Sequence, residues 1–133
     1  MELKDLYDEG LFVASRLMEA NKQEDALTVL MLLAENEAFG DVRLIACTNC
    51  AIVCGNLGRI QDAFAWYERG IAIEEKHPTR LAARRKAALL AEVGRTEESL
   101  ALFLELLSLP LPAEELERIR AQMVVLDDKD PAA

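Results

Sequence analysis

"GRIQDAFAWYERGIA", residues 58 to 72, has two counterparts in the same chain: "NKQEDALTVLMLLAE" from Asn21 and "GRTEESLALFLELLS" from Gly94. Each segment opens on a turn residue and a few polar positions. Each then places a small residue (Ala26, Ala63, Ser99) before an apolar one (Leu27, Phe64, Leu100), with a large apolar residue four places after the small one (Leu30, Tyr67, Phe103). The registration extends upstream, where Ala14, Ala51 and Ala87 stand seven residues before the turn and Leu17, Cys54 and Leu90 stand four before it. Small residues at matched places on two flanking apolar stripes are what two helices need to approach closely across a tight turn. The unit read from this pattern is helix, turn, helix, and it occurs three times.

Composition agrees. The chain of 133 residues is 52% hydrophobic but only 5% aromatic. Ala, Leu and Glu dominate, and they favour helix, whereas β-branched runs are scarce. An all-α chain follows, long enough to bury a core without staples. The net charge of −9 repels phosphates and anionic lipid, so neither nucleic acid nor membrane is an expected partner. The opening "MELKDLYDEG" lacks the pattern of a signal peptide, and the apolar run "ALTVLMLLA", residues 26 to 34, is too short to span a bilayer. Three clustered cysteines with no framework spacing fit a reducing, cytoplasmic setting.

Boundary residues divide the chain into repeats of about 7–40, 41–78 and 79–112. Gly40 is expected to end a helix and Asp41 to cap the next. His77-Pro78 breaks the chain and Thr79 restarts it. Pro110 and Pro112 close the third unit. After them "AEELERIRAQMVVL" has Leu116, Ile119, Met123 and Leu126 at helical spacing, which gives a capping helix over 113–128. An acidic tail, 129–133, follows. The expected architecture is one domain, 1–128, of three antiparallel helix pairs and a cap that covers the apolar end of the stack.

The pattern resembles the tetratricopeptide repeat family, whose first helix carries W-x2-L-G-x2-Y and whose second carries A-x3-F. In the middle repeat, Ala63-x3-Tyr67 matches the second helix, and Cys47-x2-Cys50-Ala51-x2-Cys54 stands where the first-helix motif falls. The family Trp is absent, and Lys86 replaces an expected packed Leu. The spacings of 37 and 36 residues exceed the family frame of about 34. The resemblance implies an α-α superhelix, a tetratricopeptide-like solenoid.

"CTNCAIVC", residues 47 to 54, holds every cysteine of the chain. Spacings of three and four put Cys47, Cys50 and Cys54 on one helical stripe, and cysteine behaves as a small buried hydrophobe, so three core thiols are expected. The alternative is a thiol-based metal or redox protein. Zinc wants four ligands, and the one histidine, His77, lies in a distant turn. An iron–sulfur cluster favours thiolates on a flexible loop. No phosphate loop, dinucleotide fingerprint, zinc-protease or nucleophile-elbow motif occurs. The acid pairs Glu74-Glu75, Glu97-Glu98 and Glu114-Glu115 are expected to be solvated or to complement helix dipoles. No enzyme, cofactor or metal is expected.

If the tetratricopeptide resemblance is carried over by register, the partner-facing positions are Leu11, Phe12 and Ser15 in the first repeat. The second offers Ile45, Thr48, Asn49 and Ile52, and the third Leu81, Arg84, Arg85 and Ala88. In family members that hold a C-terminal carboxylate, an Asn at Asn49 and an Arg at Arg85 belong to the clamp. Leu11, Ser15 and Leu81 depart from it, which implies a mixed apolar and basic groove. Residues 76 to 95 hold six basic residues against the single acid Glu92. Arg84 and Arg85 there suit acidic side chains or a terminal carboxylate, if they are not spent on internal acids. The expected function is a non-catalytic adaptor or scaffold that binds an extended or helical, partly acidic peptide. A second reading is a dedicated chaperone of an exported protein, since small acidic three-repeat proteins resemble the tetratricopeptide-type chaperones of bacterial secretion systems. The apolar first helix (Leu6, Tyr7, Leu11, Phe12, Val13, Leu17, Met18) leaves homo-oligomer formation open.

Overall fold

The computed structural model describes residues 1–129, with side chains through Val125. Residues 130–133 of the expected tail and the side chain of Leu126 lie outside the described part. Among the described residues the chain is all-helical: α1 (Leu3–Glu19), α2 (Gln23–Glu35), a 3₁₀ segment (Glu37–Val42), α3 (Arg43–Asn56), α4 (Ile60–Glu74), α5 (Leu81–Glu92), α6 (Thr96–Leu107) and α7 (Ala113–Lys129).

Three of the joints have one geometry. At Asn21, Gly58 and Gly94 the backbone turns left-handed, with φ of 61°, 77° and 86°. The N–H of the next residue then reaches back to the carbonyl of Leu17, Cys54 or Leu90 at 2.8 Å, and the left-handed residue's own N–H bonds Met18, Gly55 or Ala91. This is the Schellman arrangement, which satisfies carbonyls that a helix end leaves open. The residue that closes it at once opens the next helix: Lys22, Arg59 and Arg95 accept through their carbonyls from the N–H of Ala26, Ala63 and Ser99. No residue is spare, so the chain reverses within three.

Ala14, Ala26, Ala51, Ala63, Ala87 and Ser99 are all buried, and the Ser99 hydroxyl donates to the Ala87 carbonyl at 2.6 Å, side chain of α6 on backbone of α5. Around them Leu30, Tyr67 and Phe103 fill the core. At Gly10 an added Cβ would sit 2.8 Å from Leu33, so α1 and α2 also come close there.

The chain divides into two compact units, Met1–Ile73 and a second beginning at Glu74. In the first, α1 and α3 both pack on α2. In the second, α5 and α7 both pack on α6, and α5 also touches α7. Lys86, where the family packs a leucine, is half-buried. The α5 core is made instead by Ala82, Ala83, Ala87 and Leu90.

Several boundary expectations are corrected. α2 ends at Glu35, not at Gly40, because the Asn36 side chain accepts from the Ala38 N–H at 3.0 Å and starts the 3₁₀ segment. Gly40 lies inside that segment at φ 65°. The N-cap residue of α3 is Val42, next to Asp41, and that of α5 is Arg80, next to Thr79; neither Val42 nor Arg80 makes a side-chain cap. The first turns of both helices are held from far away. The buried Tyr7 hydroxyl accepts from the Ala46 N–H at 3.2 Å and donates to the Val42 carbonyl. Glu74 accepts from Ala82 and Ala83 N–H at 2.7 and 3.1 Å, and Glu115 accepts from the Arg80 N–H and the Thr79 hydroxyl. Glu74 and Glu115 are therefore buried, not solvated, although Glu115 also lies in the first turn of α7, where an acid complements the helix dipole.

One stretch, Glu37–Asn56, is long and apolar enough by composition to cross a membrane. It is the 3₁₀ segment, broken at Gly40, followed by α3. The apolar face of α3 is core, packed on α2.

Candidate functional site

α3 has two unlike faces. Cys47, Cys50 and Cys54 point inward with Ala46, Ala51 and Val53, all at 1% exposure or less. Burial pushes all three thiols above their ordinary range, with Arg69 and Arg43 pulling back weakly at Cys47. A protonated, buried thiol is a poor nucleophile and a poor ligand. Among the described residues no three of His, Cys, Asp and Glu come together in a way that could hold a metal ion.

On the opposite face of α3, spacings of four and three line up Ile45, Asn49 and Ile52. Ile45 is 40% exposed, while Asn49 and Ile52 are half-buried. The Asn49 carboxamide has no intramolecular hydrogen-bond partner among the described residues. An amide between two apolar anchors can give and take hydrogen bonds with a peptide backbone, with no preference for its sequence.

Thr48 leaves this strip. It is 2% exposed, and its hydroxyl donates to the Ile45 carbonyl at 2.9 Å. On α1, Leu11 is half-buried and Ser15 exposed, and Phe12 is 57% exposed with the Arg16 guanidinium 5.2 Å from its ring centre.

In the second unit, Leu81, Arg85 and Ala88 repeat the spacing of Ile45, Asn49 and Ile52. Leu81 and Ala88 are half-buried, and Arg85 is exposed with no ion pair among the described residues. Arg84 is committed internally: its Nε lies 3.3 Å from Glu115 Oε2, its Nη1 donates to Gln122 at 3.0 Å, and its side chain is 14% exposed. Arg80 is spent too, on the carbonyls of Glu74, Glu75, His77 and Thr79. Of the basic cluster, Arg85 alone among these three arginines is left to the solvent.

Electrostatics in this unit centres on the two buried acids. Burial raises Glu74, and the Ala82 and Ala83 N–H groups only partly offset it. Burial also opposes ionisation of Glu115, but the Arg80 N–H with the guanidinium groups of Arg84 and Arg118 outweighs it and holds this carboxyl below the ordinary range. Sequence reasoning missed both, and Tyr7, whose hydroxyl burial pushes up to about 12. Trp66 is buried, with the Arg69 guanidinium 4.3 Å from its ring centre.

Set against protein-family models, curated proteins and solved structures, the chain matches none of them.

Proposed function

We propose that the chain is a non-catalytic protein-interaction module, three tetratricopeptide-like hairpins with a terminal helix, that holds an extended or helical segment of another protein against the first helices of its hairpins. The observation that carries this reading is the strip Ile45–Asn49–Ile52, two apolar side chains around an amide that nothing in the fold uses. The same register on α5 offers Leu81, Arg85 and Ala88, and on α1 it offers Phe12 and Ser15. On the first unit apolar anchors supply affinity and Asn49 fixes a backbone; on the second unit, taken by itself, Arg85 selects for acid in a segment bound there. Acid and base groups that could do chemistry, Glu74 and Glu115 above all, are instead spent on helix ends.

The test is to pan a random-peptide display library on the folded protein and measure the recovered peptides by fluorescence anisotropy. Ile45→Asp with Ile52→Asp is expected to weaken binding at least about tenfold, and Asn49→Ala several-fold, at unchanged helicity. Arg85→Glu is expected to remove the acidic peptides selectively. Recovery of no peptide, or equal binding by all variants, sinks the reading. Arg84 is left intact in this design, because charge reversal there would strand Glu115.

A further inference from the structure

α1 also exposes apolar side chains along the flank of its contact with α2, on the side away from Phe12 and Ser15. Leu3, Leu6 and Val13 are 52%, 51% and 44% exposed. At 100° per residue they fall within about 80° of one another on the helix, with the half-buried Leu17 among them. Glu9 stands beside this stripe and Asp5, one turn before it, lies between the stripe and Phe12; both are exposed, with no hydrogen bond or ion pair among the described residues. Asp5 lies in the first turn, where a helix favours an acid. Glu9 lies beyond it and has no such structural reason. The surrounding field has the same sign, since residues 1–73 hold twelve acids against six basic residues.

An apolar stripe edged by unpaired acids selects its occupant by charge. A second copy would set Asp5 and Glu9 of one molecule near those of another, in a molecule of net charge −9, so self-pairing is opposed. We propose that this face of α1 docks a basic amphipathic helix of another protein. The partner's apolar side chains would cover Leu3, Leu6 and Val13, and its Lys or Arg would meet Asp5 and Glu9. This surface is independent of the α3 strip, and its fate does not depend on that reading.

The experiment uses two dye-labelled model peptides of one amphipathic pattern, Leu/Lys and Leu/Glu, titrated with the full chain and followed by anisotropy at two salt concentrations. The Leu/Lys peptide is expected to bind and the Leu/Glu peptide not to. Leu6→Asn with Val13→Asn should weaken binding at least about tenfold at unchanged circular dichroism, since both positions are exposed. Asp5→Asn with Glu9→Gln should weaken it several-fold and flatten its salt dependence. Glu97→Gln with Glu105→Gln, on exposed positions of α6, should leave it unchanged. The proposal is overturned if this control pair weakens binding as much as the α1 acids do, because the attraction is then only diffuse. It is also overturned if the Leu6, Val13 variant binds like wild type, or if sedimentation shows a dimer that this variant abolishes.

Discussion

Tyr7 supplies at the start of α3 the partner that no neighbouring residue offers. Its hydroxyl satisfies the Ala46 N–H, one of the donors a first turn leaves open, and is itself satisfied by Val42. Tyr7→Phe is expected to lower stability by about 1–3 kcal/mol at unchanged helicity, read by urea denaturation, because a buried donor loses its acceptor. Glu74 and Glu115 do the same for the start of α5 with opposite titration. The ordinary carboxyl value is 4.5 for both. Glu115 is lowered in the fold, so its stabilisation is complete above 4.5 and is lost as pH falls through its folded value. Glu74 is raised, so stability declines as pH rises from 4.5 through its folded value. Denaturation across a pH series should therefore separate them. Glu115→Gln removes the loss below 4.5 and costs about 2 kcal/mol at neutral pH. Glu74→Gln removes the decline above 4.5 but costs about 1–3 kcal/mol below it, because one of its two acceptor oxygens becomes an NH2 against a buried N–H. None of these caps was legible in sequence: partners 39 and 35 residues apart leave no local pattern, and Glu74 reaches its own partners only because the chain folds back within eight residues. The same blindness explains Arg84, whose burial depends on Glu115. Thr48 was hidden for another reason: its hydroxyl finds an acceptor on its own helix, so burying it costs little.

At the level of elements, what could be read was what backbone geometry demands of residue type. A left-handed residue at a helix end wants Gly or Asn, and two helices in contact want small residues. Both demands leave marks at fixed offsets, which is why the three turns and the buried small residues around them could be read from spacing. Helix starts make weaker demands, and there the N-caps fall one residue after Asp41 and Thr79, at Val42 and Arg80. The turns themselves give a comparison with an internal control. A Cβ added at Gly58 or Gly94 meets nothing within 4 Å, so a substitution there is penalised by backbone conformation alone. Gly58→Ala and Gly94→Ala should each cost about 1–2 kcal/mol in thermal or urea melts. Asn21→Gly, at the equivalent turn, should leave stability within about 1 kcal/mol or raise it. Equal responses at all three sites would mean that the turns are not equivalent in energy despite their shared geometry.

For the molecule as a whole, the position of the cysteines makes a direct prediction. With all three thiols buried and held protonated, labelling by a thiol reagent should be slow in the native state and fast in denaturant. Fast native labelling of all three would contradict the packing of α3. The division at Glu74 has a consequence for how any such experiment is interpreted. Every cysteine, the sole tryptophan (Trp66) and both tyrosines (Tyr7, Tyr67) lie before that point. The second unit, with Phe103 its one aromatic ring besides His77, has almost no optical voice in the near ultraviolet. Fluorescence and thiol trapping thus watch one half of the protein, while far-ultraviolet dichroism watches both. A gap between their midpoints would measure, without any label, how far one half can melt while the other stays folded.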